Sequence, residues 1–468
     1  MPSPNKTVLT LLTGILCIGG FHGAVSAQTA NTASGTYVIP EDFFGMHINT
    51  YTDGWPTQPF ATQRLLNSNV NWANIETSPG VYNFRWLDQW IAQAQAHNVT
   101  LLYTFIDVPQ FYSSNPYDST CSYAGNGLGG CHPPSDLNAD GSGTDQAFRN
   151  FVTAMVEHVG NKIQYWETWN EPNQPTAWQA TDPVNHPYSQ LIRMQQDAAQ
   201  IIKAANPNAL ILTPPPVGYP NGAPKWEAGY LAAGGAAGAD VITFHSYVHK
   251  WVWGSQPVAE NVATAIHNLV ATMQKYNVTK PLWITESGWG RTDKDGFFDE
   301  TLQTAFTARY ILLEQSSGVA HAYWYQWDSN APYNAGTFFL PPATTRAPGI
   351  AYQQLYNWTA GATLTVPCAA SSTVWTCQYS RANGYVAMAV WNTAGSSSFS
   401  LPTGVYAQYR DLAGNTNVLN GGTVTIGPLP ILLEGSTSTP NNPQTGNGTT
   451  GTQPVTGFHG GPQFQVVR

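Results

Sequence analysis

The chain has 468 residues, of which 12% are aromatic, including 17 Trp and 23 Tyr, and only 10% are charged, against about 25% in an average soluble protein. Its formal net charge of -9 argues against nucleic acid or an anionic membrane as partner, since both call for clustered Lys and Arg. The length admits one large barrel-type domain with a smaller companion, and the composition implies an uncharged, polar, aromatic surface suited to neutral ligands.

At the N-terminus, Lys6, the apolar run "VLTLLTGILCI" and the small-residue site "VSAQ" read as a secretory signal, residues 1–27, cleaved after Ala27. The run is short for a bilayer span, and no later segment reaches about 18 consecutive apolar residues. A soluble secreted or periplasmic protein is expected, with no membrane contact after signal removal. Leu16 before Cys17 speaks against a lipid anchor.

Residues 37–360 alternate short apolar runs with amphipathic segments. Candidate strands are "FFGMHIN", "NWANIE", "VTLLYTFI", "IQYWETWNE", "ALILTPP", "DVITFHSY", "PLWITE" and "AHAYWYQW". Helical candidates between them include "WLDQWIAQAQAH", "DQAFRNFVTAMVEHV", "YSQLIRMQQDAAQIIKAA", "VATAIHNLVATMQKY" and "LQTAFTARYILLEQ". Repeated βα units of this kind predict an α/β fold, a (β/α)8 TIM barrel with its site at the carboxyl ends of the strands. Residues 361–434 change texture to short alternating runs, "TLTVPC", "TVWTCQYS", "YVAMAVWN", "SFSLP", "AQYRDL" and "TVTIG", separated by Gly, Asn and Pro. They predict a small antiparallel, sandwich-like β-domain. Residues 435–468, rich in Ser, Thr, Asn, Gly and Pro, are expected to be a disordered tail.

Four cysteines remain after the signal. In an oxidising compartment Cys121 pairs naturally with Cys131 and Cys368 with Cys377. A four-thiolate metal site would lack the C-x-x-C spacing usual for zinc. The first pair pins a long loop after the third strand, which should stand over the mouth of the barrel.

Two strand ends carry carboxyl groups. In "IQYWETWNE", alternation places Glu167, Trp169 and Glu171 on one side, with Glu171 at the mouth and Glu167 deeper, where an Arg or Tyr would have to satisfy it. In "PLWITESGWG", Glu286 stands before a glycine turn. Glycosidic cleavage needs a proton for the leaving oxygen and a nucleophile or activated water at the anomeric carbon, and two carboxyl groups in unlike environments divide those tasks.

The motifs "WNEPN" and "WITESGW" resemble the acid/base and nucleophile strand ends of clan A glycoside hydrolases. "YWETWNEPN", "PGVYNFRWLD", "FHSY" and the trailing β-domain are most similar to glycoside hydrolase family 39 and its relatives, over most of the stretch from Phe43 to Glu434. The resemblance implies a retaining mechanism with Glu171 as acid/base and Glu286 as nucleophile. It also implies that Asn170 bonds the sugar 2-hydroxyl, that Tyr247 orients Glu286, and that His245 shares their polar cluster.

Sugars pack their C–H faces on aromatic rings, which makes Trp327 and Trp324 candidate platforms. Trp289, Trp251, Trp253 and Trp178 are candidate lining residues in loops, and His47 and Asn49 close the first strand. The expected partner is a carbohydrate bound by a monomer, and no metal or organic cofactor is expected because the scattered histidines show no H-x-H or H-E-x-x-H spacing. A noncatalytic carbohydrate-binding protein on the same scaffold is the alternative reading.

Overall fold

A computed structural model describes residues 36–436 apart from 67, 122–126, 219–221, 249–256, 291–295 and 330–335. The expected signal, Trp251, Trp253 and residues 437–468 lie outside the described residues.

Eight parallel strands form the barrel: β1 (Phe44–His47), β2 (Thr62–Leu65), β3 (Thr100–Thr104), β4 (Ile163–Glu167), β5 (Leu210–Leu212), β6 (Ile242–His245), β7 (Leu282–Ser287) and β8 (His321–Trp324). Neighbours pair in chain order, β8 returns to β1, and a parallel bridge between Leu212 and Val241 joins β5 to β6 to close the ring. The chain therefore folds as the expected TIM barrel. Inside it, the β8 ring of Tyr323 lies so close to β1 that a Cβ on Gly45 would stand 2.6 Å from its Cδ1. Only glycine fits there.

The second strand differs from expectation. "NWANIE" forms one helical turn, Trp72–Ile75, and enters the short strand Glu76–Ser78, while the barrel takes Thr62–Leu65 instead. All four residues of β2 are buried although three are polar. A buried strand with polar residues at three of four positions carries no apolar signature.

The helices are α1 (Arg85–Ala96), α2 (Gln146–Val159), α3 (Ser189–Ala205), α4 (Gly222–Ala232), α5 (Asn261–Lys275), α6 (Glu300–Ser316) and α7 (Ala347–Thr359). Their apolar stripes face the strands; α1, for example, buries Leu87, Trp90, Ile91 and Ala94 at helical spacing. The Asp299 side chain caps α6 by accepting from the Thr301 and Leu302 amides at 2.8 and 3.1 Å.

The C-terminal strands are β9 (Thr363–Ser371), β10 (Val374–Ser380), β11 (Tyr385–Asn392), β12 (Ser397–Ser400), β13 (Tyr406–Arg410), β14 (Thr416–Val418), β15 (Thr423–Ile426) and β16 (Ile431–Ser436). Six of them and the N-terminal Tyr37–Val38 make one sheet in the order Tyr37–Val38, β9, β10, β11, β16, β13, β14, and β12 pairs with β15. The N-terminal segment thus belongs to this sheet through Tyr37 opposite Leu364. Strand β16 extends through Gly435 and Ser436, so the boundary placed at 434 falls inside a strand paired residue for residue with β11. One face, with Cys377, Ala389, Trp391 and Leu432, joins the main core, and the other packs Met388, Val390 and Leu433 with Val424 and Ile426 of β15. Both expected disulfides are present, with Cα–Cα distances of 5.0 Å for Cys121–Cys131 and 4.2 Å for Cys368–Cys377. Closing loops this short constrains the unfolded chain by about 2.5 kcal/mol each.

Candidate active site

The polar interior of the barrel is organised by Arg64 of β2. Its Nε donates to Glu167 Oε2 at 2.7 Å, one terminal nitrogen to Glu286 Oε1 at 2.6 Å, and the other to Asn170 Oδ1 at 2.7 Å and to Glu167 Oε2. Thr104 Oγ1 adds a bond to Glu167 Oε2 at 2.9 Å. Arg64 and Glu167 are fully buried. Burial raises the Glu167 carboxyl above its usual range, against the pull of Arg64 and Thr104. Burial by itself would lower the Arg64 pKa, but Glu167 and Glu286 hold the guanidinium above its ordinary value. Breaking such a pair from one side costs about 3–5 kcal/mol because a buried charge is left behind.

Glu286 is reached from both sides, by Arg64 at Oε1 and by the Tyr247 hydroxyl, which donates to Oε2 at 2.7 Å. Burial and the Glu286 charge hold the Tyr247 phenol well above its ordinary pKa, so it stays a donor. His245 Nδ1 lies 2.7 Å from Glu171 Oε1 and 3.5 Å from Glu286 Oε2. Burial lowers the His245 pKa to about 3 despite the attraction of Glu286, which keeps the ring neutral in ordinary buffers. An oxygen of Glu171, an oxygen of Glu286 and a ring nitrogen of His245 all lie within 4.8 Å of one another.

The strand alternation expected through Glu171 stops at Glu167, where β4 ends. Trp169 has φ 121° and Glu171 φ 45°, conformations that L-residues adopt at a cost. Trp169 consequently turns into the core, donates from Nε1 to Ala177 O at 2.9 Å and meets Trp178 edge to face at 5.0 Å. The Glu171 amide donates to Pro215 O at 3.1 Å, and Asn173 exchanges two bonds with the Val217 backbone at 2.7 and 3.0 Å. "WNEPN" is therefore a bent segment fastened to the loop after β5.

The other sequence candidates divide. His47 is buried at the rim, with Nε2 3.0 Å from Thr285 O and its ring edge on Tyr325. Asn49 contributes its amide, which donates to Asp328 Oδ1 at 2.7 Å, while Thr50 donates to Oδ2 at 2.7 Å. Burial raises the Asp328 pKa to about 6. Trp327 lies flat on Phe339, 4.5 Å between centroids, and donates from Nε1 to Gln58 at 3.0 Å. Trp324 does not offer an open platform: it is 1% exposed, stacks on Phe338 at 5.0 Å and donates to Gly336 O at 2.7 Å. Trp289 is likewise enclosed, between Trp324 and Phe297, and Trp178 packs under Trp169. Aromatic side chains at strand ends serve the layer between barrel and helices as readily as a cleft, and their composition does not separate the two uses.

Arg64, which joins Glu167, Glu286 and Asn170, was missed. The available signal for Arg64 was a cation in "ATQRLLNS" within a chain holding only 18 Lys and Arg. The long loop after β3 is fixed beside the Glu171 segment: the Gln179 amide donates to Cys131 O at 2.7 Å, and His132 Nε2 lies 2.7 Å from Asp118.

The TIM barrel and the family match together define the class, a glycoside hydrolase of clan A. The model of the cellulase family, glycosyl hydrolase family 5, matches residues 59–330, more than half of the chain, and the chain belongs to that family. Among curated proteins it is similar to mannan endo-1,4-beta-mannosidase 3 of Oryza sativa subsp. japonica, 25% identical over 291 residues, which cover 53% of this chain and 59% of the relative. The chain thus aligns with little more than half the length of that relative. Among solved structures it is similar to a family 39 glycoside hydrolase of Bacteroides cellulosilyticus WH2, with TM-score 0.63 and 17% identity over 85% of this chain and 81% of the other. A monomeric beta-xylosidase of Caulobacter crescentus CB15 follows with TM-score 0.61 and 14% identity over 87% and 98%. The family 39 likeness read from the motifs thus holds at the level of fold, and family membership lies with family 5 in the same clan. No described helix is long and apolar enough to cross a membrane.

Proposed function

We propose that this glycoside hydrolase is a secreted, retaining β-glycosidase acting on polysaccharides or their oligosaccharides, with Glu286 as nucleophile and Glu171 as acid/base. The observation that carries the reading is that one carboxyl oxygen of Glu171 lies within 4.8 Å of one of Glu286. Carboxyl groups about 5 Å apart suit a covalent glycosyl intermediate, whereas about 6.5–9.5 Å leaves room for the water of an inverting enzyme.

Each neighbour supports one of these tasks. Arg64 and Tyr247 hold both oxygens of Glu286 and stabilise its carboxylate for attack on the anomeric carbon. Glu171 meets the neutral His245, which donates Nδ1–H to its carboxylate or accepts from its acid form. Because His245 Nε2 has no partner among the described residues, either tautomer is open to it as Glu171 gives up and regains a proton. Asn170 spends Oδ1 on Arg64, and its Nδ2 has no partner among the described residues, which leaves an N–H donor for a sugar hydroxyl. Arg64 supplies the positive charge beside Glu286, and the reading calls on no metal or organic cofactor.

The relative's printed name makes β-mannan a first substrate to try, and the xylosidase neighbour adds xylo-oligosaccharides. Incubation with a glycan panel, followed by proton NMR of the first product, tests the reading. The β-anomer is expected to appear first; initial release of the α-anomer would overturn the retaining assignment.

A further inference from the structure

Ser246 stands between His245, which meets Glu171, and Tyr247, which meets Glu286. Neighbours along an extended segment face opposite ways, and the Ser246 side chain duly points into the helix layer. Its Oγ lies 3.4 Å from Glu314 Oε1 and accepts from the Tyr310 hydroxyl at 3.0 Å; Tyr310 also donates to the Ser246 carbonyl oxygen. The Ser246 amide in turn donates to Glu286 O at 3.0 Å.

Tyr310 and Glu314 are one turn apart on α6 and both are 0% exposed. Nothing in the hydrolytic chemistry uses Glu314. Burial raises its carboxyl pKa well above the ordinary range, offset only in part by Ser246 and Ser287, and no cation acts on it. Its Oε2 has no hydrogen-bond partner among the described residues. An ionised carboxylate in that position would cost several kcal/mol without repayment.

Resting on the assignment of Glu171 and Glu286 as the hydrolytic pair, we propose that Glu314 is a positioning residue: as a neutral acid it joins Tyr310 in clamping Ser246 from the helix layer, and so sets how far His245 and Tyr247 reach toward the two carboxyl groups. A carboxylic acid both donates and accepts, and glutamine shares that capacity and nearly the same shape. Leucine fills the space without either. Small misplacements of groups around a reacting centre cost up to about 100-fold in rate.

The test compares Glu314→Gln, Glu314→Leu and Tyr310→Phe with the wild type on an oligosaccharide that the wild type cleaves. Glu314→Gln is expected to keep kcat within about twofold, while Glu314→Leu and Tyr310→Phe lower kcat by about tenfold or more with KM nearly unchanged. A folded Glu314→Leu protein with full kcat overturns the clamp, and so does a Gln variant as impaired as the Leu one. Should the Leu variant fail to fold, Tyr310→Phe decides, and full kcat there overturns the proposal. The infrared difference between wild type and Glu314→Gln at neutral pH gives a readout independent of turnover: a neutral-carboxyl band is expected, and a carboxylate band refutes it. A wild type that cleaves no glycan defeats the hydrolase reading itself, whereas an active wild type with indifferent variants defeats only the clamp.

Discussion

Buried glutamates face an arginine in two places, Glu167 and Glu286 in the barrel and Glu434 in the β-domain. Glu434 of β16 accepts from the Tyr385 hydroxyl at 2.6 Å, Gln408 Nε2 at 3.0 Å and Arg410 Nε at 2.8 Å, with the Arg410 side chain 38% exposed. Both Glu434 oxygens are engaged, and solvent still screens its cation. In the barrel, Arg64 divides its donors among Glu167, Glu286 and Asn170 with no exposure at all, and the cluster leaves Glu167 Oε1, Asn170 Nδ2 and His245 Nε2 unpaired. Buried polar atoms are normally satisfied. The β-domain cluster therefore has its carboxylate fully engaged, whereas the barrel cluster keeps polar atoms without a protein partner among the described residues.

Mutations can break this contrast. Glu286→Gln should lower kcat by about 10⁴-fold or more, since it removes the nucleophile while keeping shape; steady-state rates on an activated aryl glycoside check it, and wild-type turnover would end the assignment. Glu171→Ala should cost about 10²–10⁴-fold on substrates with poor leaving groups and far less on activated ones, with external azide restoring rate through a β-glycosyl azide. Arg64→Met should both abolish most activity and destabilise the fold by about 3–5 kcal/mol, measured by denaturant titration. Glu434→Ala should instead lose about 1–3 kcal/mol of stability with kcat preserved in the folded fraction. If it lowered kcat as Arg64→Met does, the distinction between the two clusters would fail.

Another buried glutamate, which faces no arginine in the structure described, sharpens the comparison from the side of pH. Glu227 on α4 is 1% exposed, and neither oxygen has a hydrogen-bond partner. Burial raises its pKa to about 8 from 4.5. Its folded-state pKa is raised, so its contribution to stability is full below pH 4.5 and is lost as pH rises through about 8. Glu227→Gln should therefore flatten the fall in melting temperature between mildly acidic and mildly alkaline buffer, as read by calorimetry; an unchanged slope would show that another group carries it. The opposite sign applies to His245, lowered to about 3: its contribution is present above its usual pKa and fades as the solution is acidified.

Strands β1 and β3 to β8 were legible because each is a buried apolar run closed by turn residues. β2 was not, because three of the four residues in "TQRL" are polar and the partners of its Arg64 across the barrel, Glu167, Glu286 and Asn170, are far away in sequence. β16, whose first four residues are buried on both faces, was passed over for a related reason: a short central strand reads as an apolar patch without alternation. Glu171 and Glu286 stood out by type and by position before a turn. Which tryptophans line a cleft did not, because Trp324, Trp289 and Trp178 pack against aromatic neighbours supplied by other segments.

By itself, the sequence determined the βα alternation, the change to β-structure after residue 360, the two local disulfides and the strand-end carboxyl groups, because each is written in periodicity, composition or neighbouring residues. Only the tertiary structure decided that Arg64 joins Glu167, Glu286 and Asn170, that Glu171 occupies a left-handed conformation, and that Ser246 is held from α6 by Tyr310 and Glu314. Those relations depend on closing the barrel, which brings together residues separated by tens to hundreds of positions and removes the water that would otherwise satisfy them.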